Sequence, residues 1–396
     1  MRVRVVEVMV AVAAVAVLLA AMIPAIWSGT ENPTPQSIQA NAEVPRPPVQ
    51  LVKAIYLTSW SAATPTRLNR AIQLTRDTEL NAVVIDVKDF TGRVFFETSN
   101  PLISELKSVE PRLGDLKRLV DRLHENSIYV IVRIAVFQDQ HLLKVRPDLA
   151  IRTTSGHIWR DRMGLGWVDP ASEEVWKYIV ELGREAAAAG VDELNFDYIR
   201  FPSDGNVEDI RYPVFDNSIR TRRQVIQSFF AYLTSQLRST GAVLSADVFG
   251  LVTVRADDMG IGQVLEDALM HFDVVSPMVY PSHYGRGFMQ FRNPAAHPYE
   301  VVHYSLAKAA ERRHKLFEAL TAFTPPGNTA LTETHVAAIR PWLQAFDLGA
   351  PYPPSAIRTQ MRATTNAGFY DGWLLWSASN KYAGESFLRE PKTGER

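Results

Sequence analysis

Between residues 51 and 377, short apolar runs alternate with longer helical patterns, and this alternation leaves the chain few architectures to fold into. Periods of two predict strands at 53–59, 82–88, 128–134, 192–198, 243–249, 272–280, 339–346 and 372–377. Periods near 3.6 predict helices at 66–79, 113–126, 173–189, 218–240, 262–271, 299–320 and 355–366. Strands separated by helices build a parallel sheet with the helices outside it. Eight such strands predict an α/β fold, a (β/α)8 TIM barrel. An open doubly wound sheet is the main rival, but no G-x-G-x-x-G opens a helix. Only 378–396 follow the last strand, so an eighth helix must be short or irregular.

Side chains alternate across a strand, so each strand has an outer and an inner parity. One parity is apolar: Val83, Ile85 and Val87; Val130, Val132 and Ile134; Leu194 and Phe196; Leu244, Ala246 and Val248. The other carries polar groups: Asp86 and Lys88; Arg133; Asn195 and Asp197; Ser245 and Asp247; Ser276, Met278 and Tyr280. In the first strand Ile55 and Leu57 oppose Tyr56, Thr58 and Trp60. The polar groups come late in their strands, at the C-terminal rim where barrel enzymes keep their chemistry.

Asp197 ends the stretch VDELNFDYIRFP, and Asp247 ends the neighbouring strand LSADVF. An acid on a core strand is costly unless it is paired or used. Two carboxylates facing one pocket are what glycosidic cleavage needs, one to protonate the leaving oxygen and one to attack or to activate water. The bland alternative pairs them structurally with Arg133 or Arg200. Asp86 reads as a buried ion pair or a substrate hydrogen-bonding group. Arg200 either holds Asp197 ionised or anchors its loop. Trp60, Trp342, Trp376 and Tyr280 fall at strand ends, where aromatic faces stack on sugar rings. With Asp86, Arg133, Asn195 and Arg200 they form the expected substrate-binding set. The long loops 89–112, with a hairpin at Thr91-Gly92, and 137–170, with Trp159, Arg160, Asp161 and Trp167, read as cleft walls.

Other chemistries find little support. The chain has no Cys, which excludes thiolate nucleophiles and Cys-ligated zinc. His141, His157, His283 and His297 lack ligand spacing, and Asp204, Asp209, Asp257 and Asp258 form no calcium loop. No G-x-S-x-G elbow or Gly-rich phosphate loop is present. Neither a metal nor a cofactor is expected. A net charge of −1 without a basic stretch argues against nucleic acid as a partner.

Arg2 and Arg4 precede an uncharged apolar run, 8–27, long enough to span a bilayer. Residues 1–27 are therefore expected to be a signal anchor or signal peptide, 28–50 a Pro-rich linker, and 51–396 the barrel. The basic N-terminal flank predicts a single-pass membrane protein with its barrel outside the cytoplasm, or a secreted one if the run is removed.

VDELNFDYIRFPSDG, AVVIDVKDFTGRV, LSADVFG, VVSPMVYPSHY and IRPWLQAF, in that order, resemble a bacterial family of proposed glycoside hydrolases. That family is catalogued as a domain of unknown function and is similar to α-amylase-type barrels. The resemblance covers about 52–377 and implies a barrel with a polysaccharide or oligosaccharide substrate. In amylase-like barrels the fourth strand ends in an aspartate nucleophile, the place Asp197 occupies. Their acid is a fifth-strand glutamate, where this chain has Asp247. The expectation is a glycosidase using Asp197 and Asp247; a carbohydrate-binding barrel that does not cut is the alternative.

Overall fold

The structure, a computed structural model, describes residues 46–322, 335–369 and 371–388. Eight parallel strands close on themselves: β1 (Val52–Leu57), β2 (Ala82–Lys88), β3 (Tyr129–Ala135), β4 (Glu193–Asp197), β5 (Val243–Phe249), β6 (Val274–Met278), β7 in two halves (Ala338–Ile339 and Trp342–Gln344), and β8 (Gly372–Trp376). Each pairs with its sequence neighbour, and β8 returns to β1 through Val52↔Gly372 and Ala54↔Leu374. Among the described residues, seven helices of seven or more residues lie between them: α1 (Pro65–Asp77), α2 (Leu116–His124), α3 (Glu173–Ala188), α4 (Arg222–Leu237), α5 (Leu265–His271), α6 (Pro298–Ala322) and α7 (Pro354–Asn366). The predicted closed barrel is therefore observed, with strands within about two residues of their expected ends.

Local chemistry explains where the helices start. Pro65, Pro298 and Pro354 occupy first helical positions, where the missing N–H costs nothing. Helix α4 begins at 222 rather than 218 because Thr221 and Gln224 form a reciprocal capping box. Likewise Asp115 caps α2 through the Arg118 N–H, which moves its start from 113 to 116. The seventh strand was expected to be continuous. Pro341 has no ladder N–H, and it splits the strand.

The two parities become two cores. Outward residues such as Ile55, Ile85, Val132, Phe196 and Ala246 pack under the helices. Inward residues, among them Ala54, Val84, Ile131, Leu374 and Trp342, fill the barrel. The filling changes along the axis. At the floor, fully buried Arg340 donates to Glu193 at 2.8 and 3.1 Å, and Tyr129 donates to the same carboxylate at 3.2 Å. Small and aliphatic residues occupy the middle. Polar and aromatic groups crowd the C-terminal end.

After β8, where an eighth outer helix would stand, the described residues form the turn Gly384–Phe387 and no α-helix. Asn380 ties this segment to β1, accepting from the Thr58 N–H at 2.8 Å and donating to Tyr56 O at 3.1 Å. Beside it a crevice of about 570 Å³, lined by Leu57, Ala71, Leu74 and Tyr382, opens on the outer wall and not at the rim. Among the described residues no helix is long and apolar enough to cross a membrane. The apolar run 8–27 lies outside the described residues.

Candidate active site

The rim is organised by Arg133, whose long side chain rises from β3 between β2 and β4. Its Nη1 donates to Asp86 Oδ1 at 2.7 Å, and its Nε and Nη2 donate to Asp197 Oδ2, the former at 3.1 Å. The same Nε stands 3.8 Å from Asp247 Oδ2. One guanidinium thus serves three inward carboxylates from β2, β4 and β5. Burial alone would lower the Arg133 pKa, but the charges of Asp197 and Asp86 outweigh it and hold the pKa well above the usual value.

The three acids differ in surroundings. Asp86 uses both oxygens internally, one for Arg133 and one for the Tyr56 hydroxyl. Burial pushes its carboxyl up, against the pull of Arg133. Asp197, 7% exposed, accepts from Arg133 on one oxygen and from the Tyr198 N–H on the other. That second bond needs a sharp turn, and Tyr198 adopts φ +54° to make it. Left-handed backbone is uncommon for a bulky residue and is often found where a site demands it. Asp247 is 1% exposed. Its Oδ1 accepts from Asn195 Nδ2 at 2.9 Å and Trp342 Nε1 at 2.7 Å, while Oδ2 accepts no hydrogen bond from the described residues. Burial, and then the charge of Asp197, push this carboxyl well above the usual carboxylate range despite Arg133.

Asp197 Oδ2 and Asp247 Oδ2 both lie close to Arg133 Nε. They can be no farther apart than those two lengths laid end to end, about 7 Å.

Aromatic groups surround the cluster. Tyr56 stacks on Trp376 at 3.9 Å, Trp342 meets Trp376 edge-on at 5.7 Å, and the Arg133 guanidinium lies 5.0 Å from the Trp376 ring. Tyr280 is buried, and burial followed by the charges of Asp247 and Asp197 pushes its phenol well above the usual value. So Asp86, Arg133, Asn195, Asp197, Asp247, Tyr280, Trp342 and Trp376 gather at one rim.

Two expected members stand apart from the Arg133 cluster. Trp60 is 61% exposed on the short helix after β1, with the Arg112 guanidinium 4.1 Å from its ring. Arg200 does not hydrogen-bond to Asp197; its Nη1 donates to Phe201 O and Ser203 Oγ. Of the two arginines that could pair with Asp197, Arg133 does so, and the contacts of Arg200 are those of a loop anchor. Sequence reasoning left Tyr56 and Tyr198 out of the site; the inward parity of Tyr56 was the available signal.

The loops brace this rim. Asp161 accepts from Gln138 Nε2 at 2.9 Å and Trp167 Nε1 at 3.2 Å, fastening the loop after β3. Gly92 (φ +79°) closes the expected turn after β2, and a Cβ there would come within 1.8 Å of Asp139 Oδ1. Only glycine fits that approach. Among the described residues no group of three or more metal-ligating side chains stands together.

Fold and rim together define an eight-stranded α/β barrel of the kind that glycoside hydrolases use. The chain belongs to the family described as "putative glycosyl hydrolase domain", whose pattern matches residues 54–382. Among solved structures, the PgaB (BpsB) glycoside hydrolase domain from Bordetella bronchiseptica is similar, with a TM-score of 0.56 and 16% identity over 84% of this chain and 95% of that one. Alpha-L-fucosidase isoenzyme 2 from Paenibacillus thiaminolyticus gives a TM-score of 0.52 and 12% identity over 85% of this chain and 47% of that one. At these identities the likeness shows the fold alone. A hypothetical protein from Ruminiclostridium thermocellum ATCC 27405 is 36% identical over 49% of this chain and 97% of that chain, with a TM-score of 0.45. No curated protein matches the chain.

Proposed function

We propose that this protein hydrolyses O-glycosyl bonds of an extracytoplasmic polysaccharide, with Asp197 as nucleophile and Asp247 as general acid. The observation that carries the reading is the bounded separation of the two carboxylates at the C-terminal rim. A limit of about 7 Å accommodates the roughly 5–5.5 Å of retaining enzymes and touches only the lower edge of the roughly 6.5–9.5 Å of inverting ones. Asp197 attacks the anomeric carbon as the glycosidic C–O bond breaks, and Asp247 gives its proton to the leaving oxygen. Water then cleaves the glycosyl ester, returning a proton to Asp247. Trp376, half-buried at the rim, offers a surface for the sugar ring.

The test is a panel of bacterial polysaccharides, read for released reducing ends and for binding in parallel. Reducing ends from at least one polymer support hydrolysis. Tight binding without them supports the alternative, a carbohydrate-binding barrel, which the near-complete burial of Asp247 favours.

The pH dependence follows from the acid's role. Asp247 must enter the reaction protonated, and its raised pKa keeps it so above the ordinary carboxylate range. Activity should therefore persist through mildly acidic pH and fall as pH rises through the folded value. A rate profile whose alkaline limb already falls near pH 4 counts against Asp247 as the acid.

The extracytoplasmic placement rests on the 8–27 run and its basic flank. Fractionation of cells making the full chain should recover it in membranes or outside the cell; a purely cytoplasmic pool removes that part of the reading.

A further inference from the structure

Arg200 is 9% exposed and has no carboxylate partner among the described residues. Its two hydrogen bonds, to Phe201 O at 3.0 Å and Ser203 Oγ at 3.1 Å, both leave from Nη1. Nε and Nη2 make none to the described residues. The guanidinium is instead enclosed by rings, 4.3 Å from the centroid of Phe249 and 4.7 Å from that of Trp167. Burial pushes its pKa down from the usual value.

A buried cation is ordinarily matched by an anion, and stacking on aromatic faces offsets only part of its desolvation. The acids that feel its charge are committed elsewhere or unattached. Asp197 is taken by Arg133 and the Tyr198 N–H, and Asp161 accepts four hydrogen bonds from its own loop and from Gln138 and Trp167. Asp204, also within range, makes no hydrogen bond to it.

The position is informative. Arg200 follows Asp197 by three residues, and Phe249 follows Asp247 by two. The unspent donors therefore stand near the ends of β4 and β5, where the guanidinium packs on Phe249 and feels the charge of Asp197. A guanidinium fork suits oxyanions, binding two oxygens at once.

We propose that Arg200 receives an oxyanion carried by the saccharide, so that the substrate is an acidic polysaccharide bearing ring carboxylates or sulfate esters. This rests on the reading of the rim as a saccharide site. Neutral sugars leave the guanidinium without a counter-charge; acidic ones supply it and orient the ring over Asp197.

Gel-retardation binding tests the proposal, using wild type, Arg200→Gln and Arg200→Lys. The probes are polygalacturonate beside its carboxyl-reduced neutral form, and dextran sulfate beside dextran. Wild type should hold at least one acidic polymer tenfold or more tighter than its neutral counterpart. The arm that responds tells carboxylate from sulfate. Arg200→Gln should lose the preference, and Arg200→Lys, which keeps charge without the fork, should retain part of it. Inorganic sulfate should compete against wild type more strongly than chloride at equal ionic strength, a measurement that needs no variant to fold. Equal binding of neutral and acidic polymers, a preference that survives Arg200→Gln, or sulfate acting no better than chloride overturns the proposal. Binding is read without cleavage, so these outcomes bear on Arg200, whereas absent reducing-end release bears on the hydrolase reading.

Discussion

Asp197→Asn is expected to leave a folded barrel that no longer cleaves. The substitution keeps the size of the side chain but removes the charge that would attack the anomeric carbon and stabilise the oxocarbenium-like transition state. A loss on the order of 10⁴–10⁶ in kcat is the scale seen when a nucleophile is removed from a working site. The change also has a structural cost. Both oxygens of Asp197 now accept, one from Arg133 and one from the Tyr198 N–H, so an amide NH2 must face one of these donors. That mismatch costs about 1–3 kcal/mol. Circular dichroism and a denaturant melt separate the two effects: retained fold with lost reducing-end release supports the role, and near-wild-type turnover removes it. Asp247→Asn should be milder, about 10²–10⁴ in kcat, as general-acid losses usually are.

The second large effect concerns stability. Arg133→Met removes the one cation shared by Asp86, Asp197 and Asp247, all buried. Breaking a buried charge network by deleting one partner typically costs about 3–5 kcal/mol, because the remaining charges stay buried unpaired. The sign of the pH dependence is fixed by what is left. Without the guanidinium the carboxylates bind protons more readily folded than unfolded, so the variant should be least stable at neutral pH and recover as pH falls toward the ordinary carboxylate range. Urea melts at pH 5 and pH 8 check this. Equal deficits at both values would mean that Arg133 acts through packing and not through charge.

Much of this architecture was legible because side-chain parity is a strict physical constraint. The inward set from Tyr56, Asp86, Arg133, Asn195, Asp247 and Tyr280 could be read from alternation alone, since a strand cannot point successive residues the same way. What alternation does not encode is reach. Whether Arg133 or Arg200 meets Asp197 depends on the turn at Tyr198, whose left-handed backbone carries no sequence signature of the kind that glycine provides. The hub role of Arg133 likewise depends on three strands converging, a matter of barrel closure and not of local pattern. Trp60 illustrates the opposite limit. Its parity was counted as though β1 continued, but the strand ends at Leu57 and Thr58 caps a helix that carries Trp60 to the surface. The break in β7 does have a sequence signal, Pro341, which lacks the N–H that the ladder needs.

The seam between β1 and β8 sets an order of events during synthesis. Val52–Leu57 is the first of the eight strands to be made, yet one of its two neighbours, Gly372–Trp376, follows more than three hundred residues later. Until then β1 presents an unpaired edge, which is a template for wrong partners. Ribosomes add roughly 5–20 residues per second, so that edge waits tens of seconds for its mate. Asn380 and Tyr382, which reach back to Thr58 and Tyr56, come later still. Closure of the ring, and with it the stacking of Trp376 on Tyr56 beside the three acids, therefore waits until the last of the eight strands has been made.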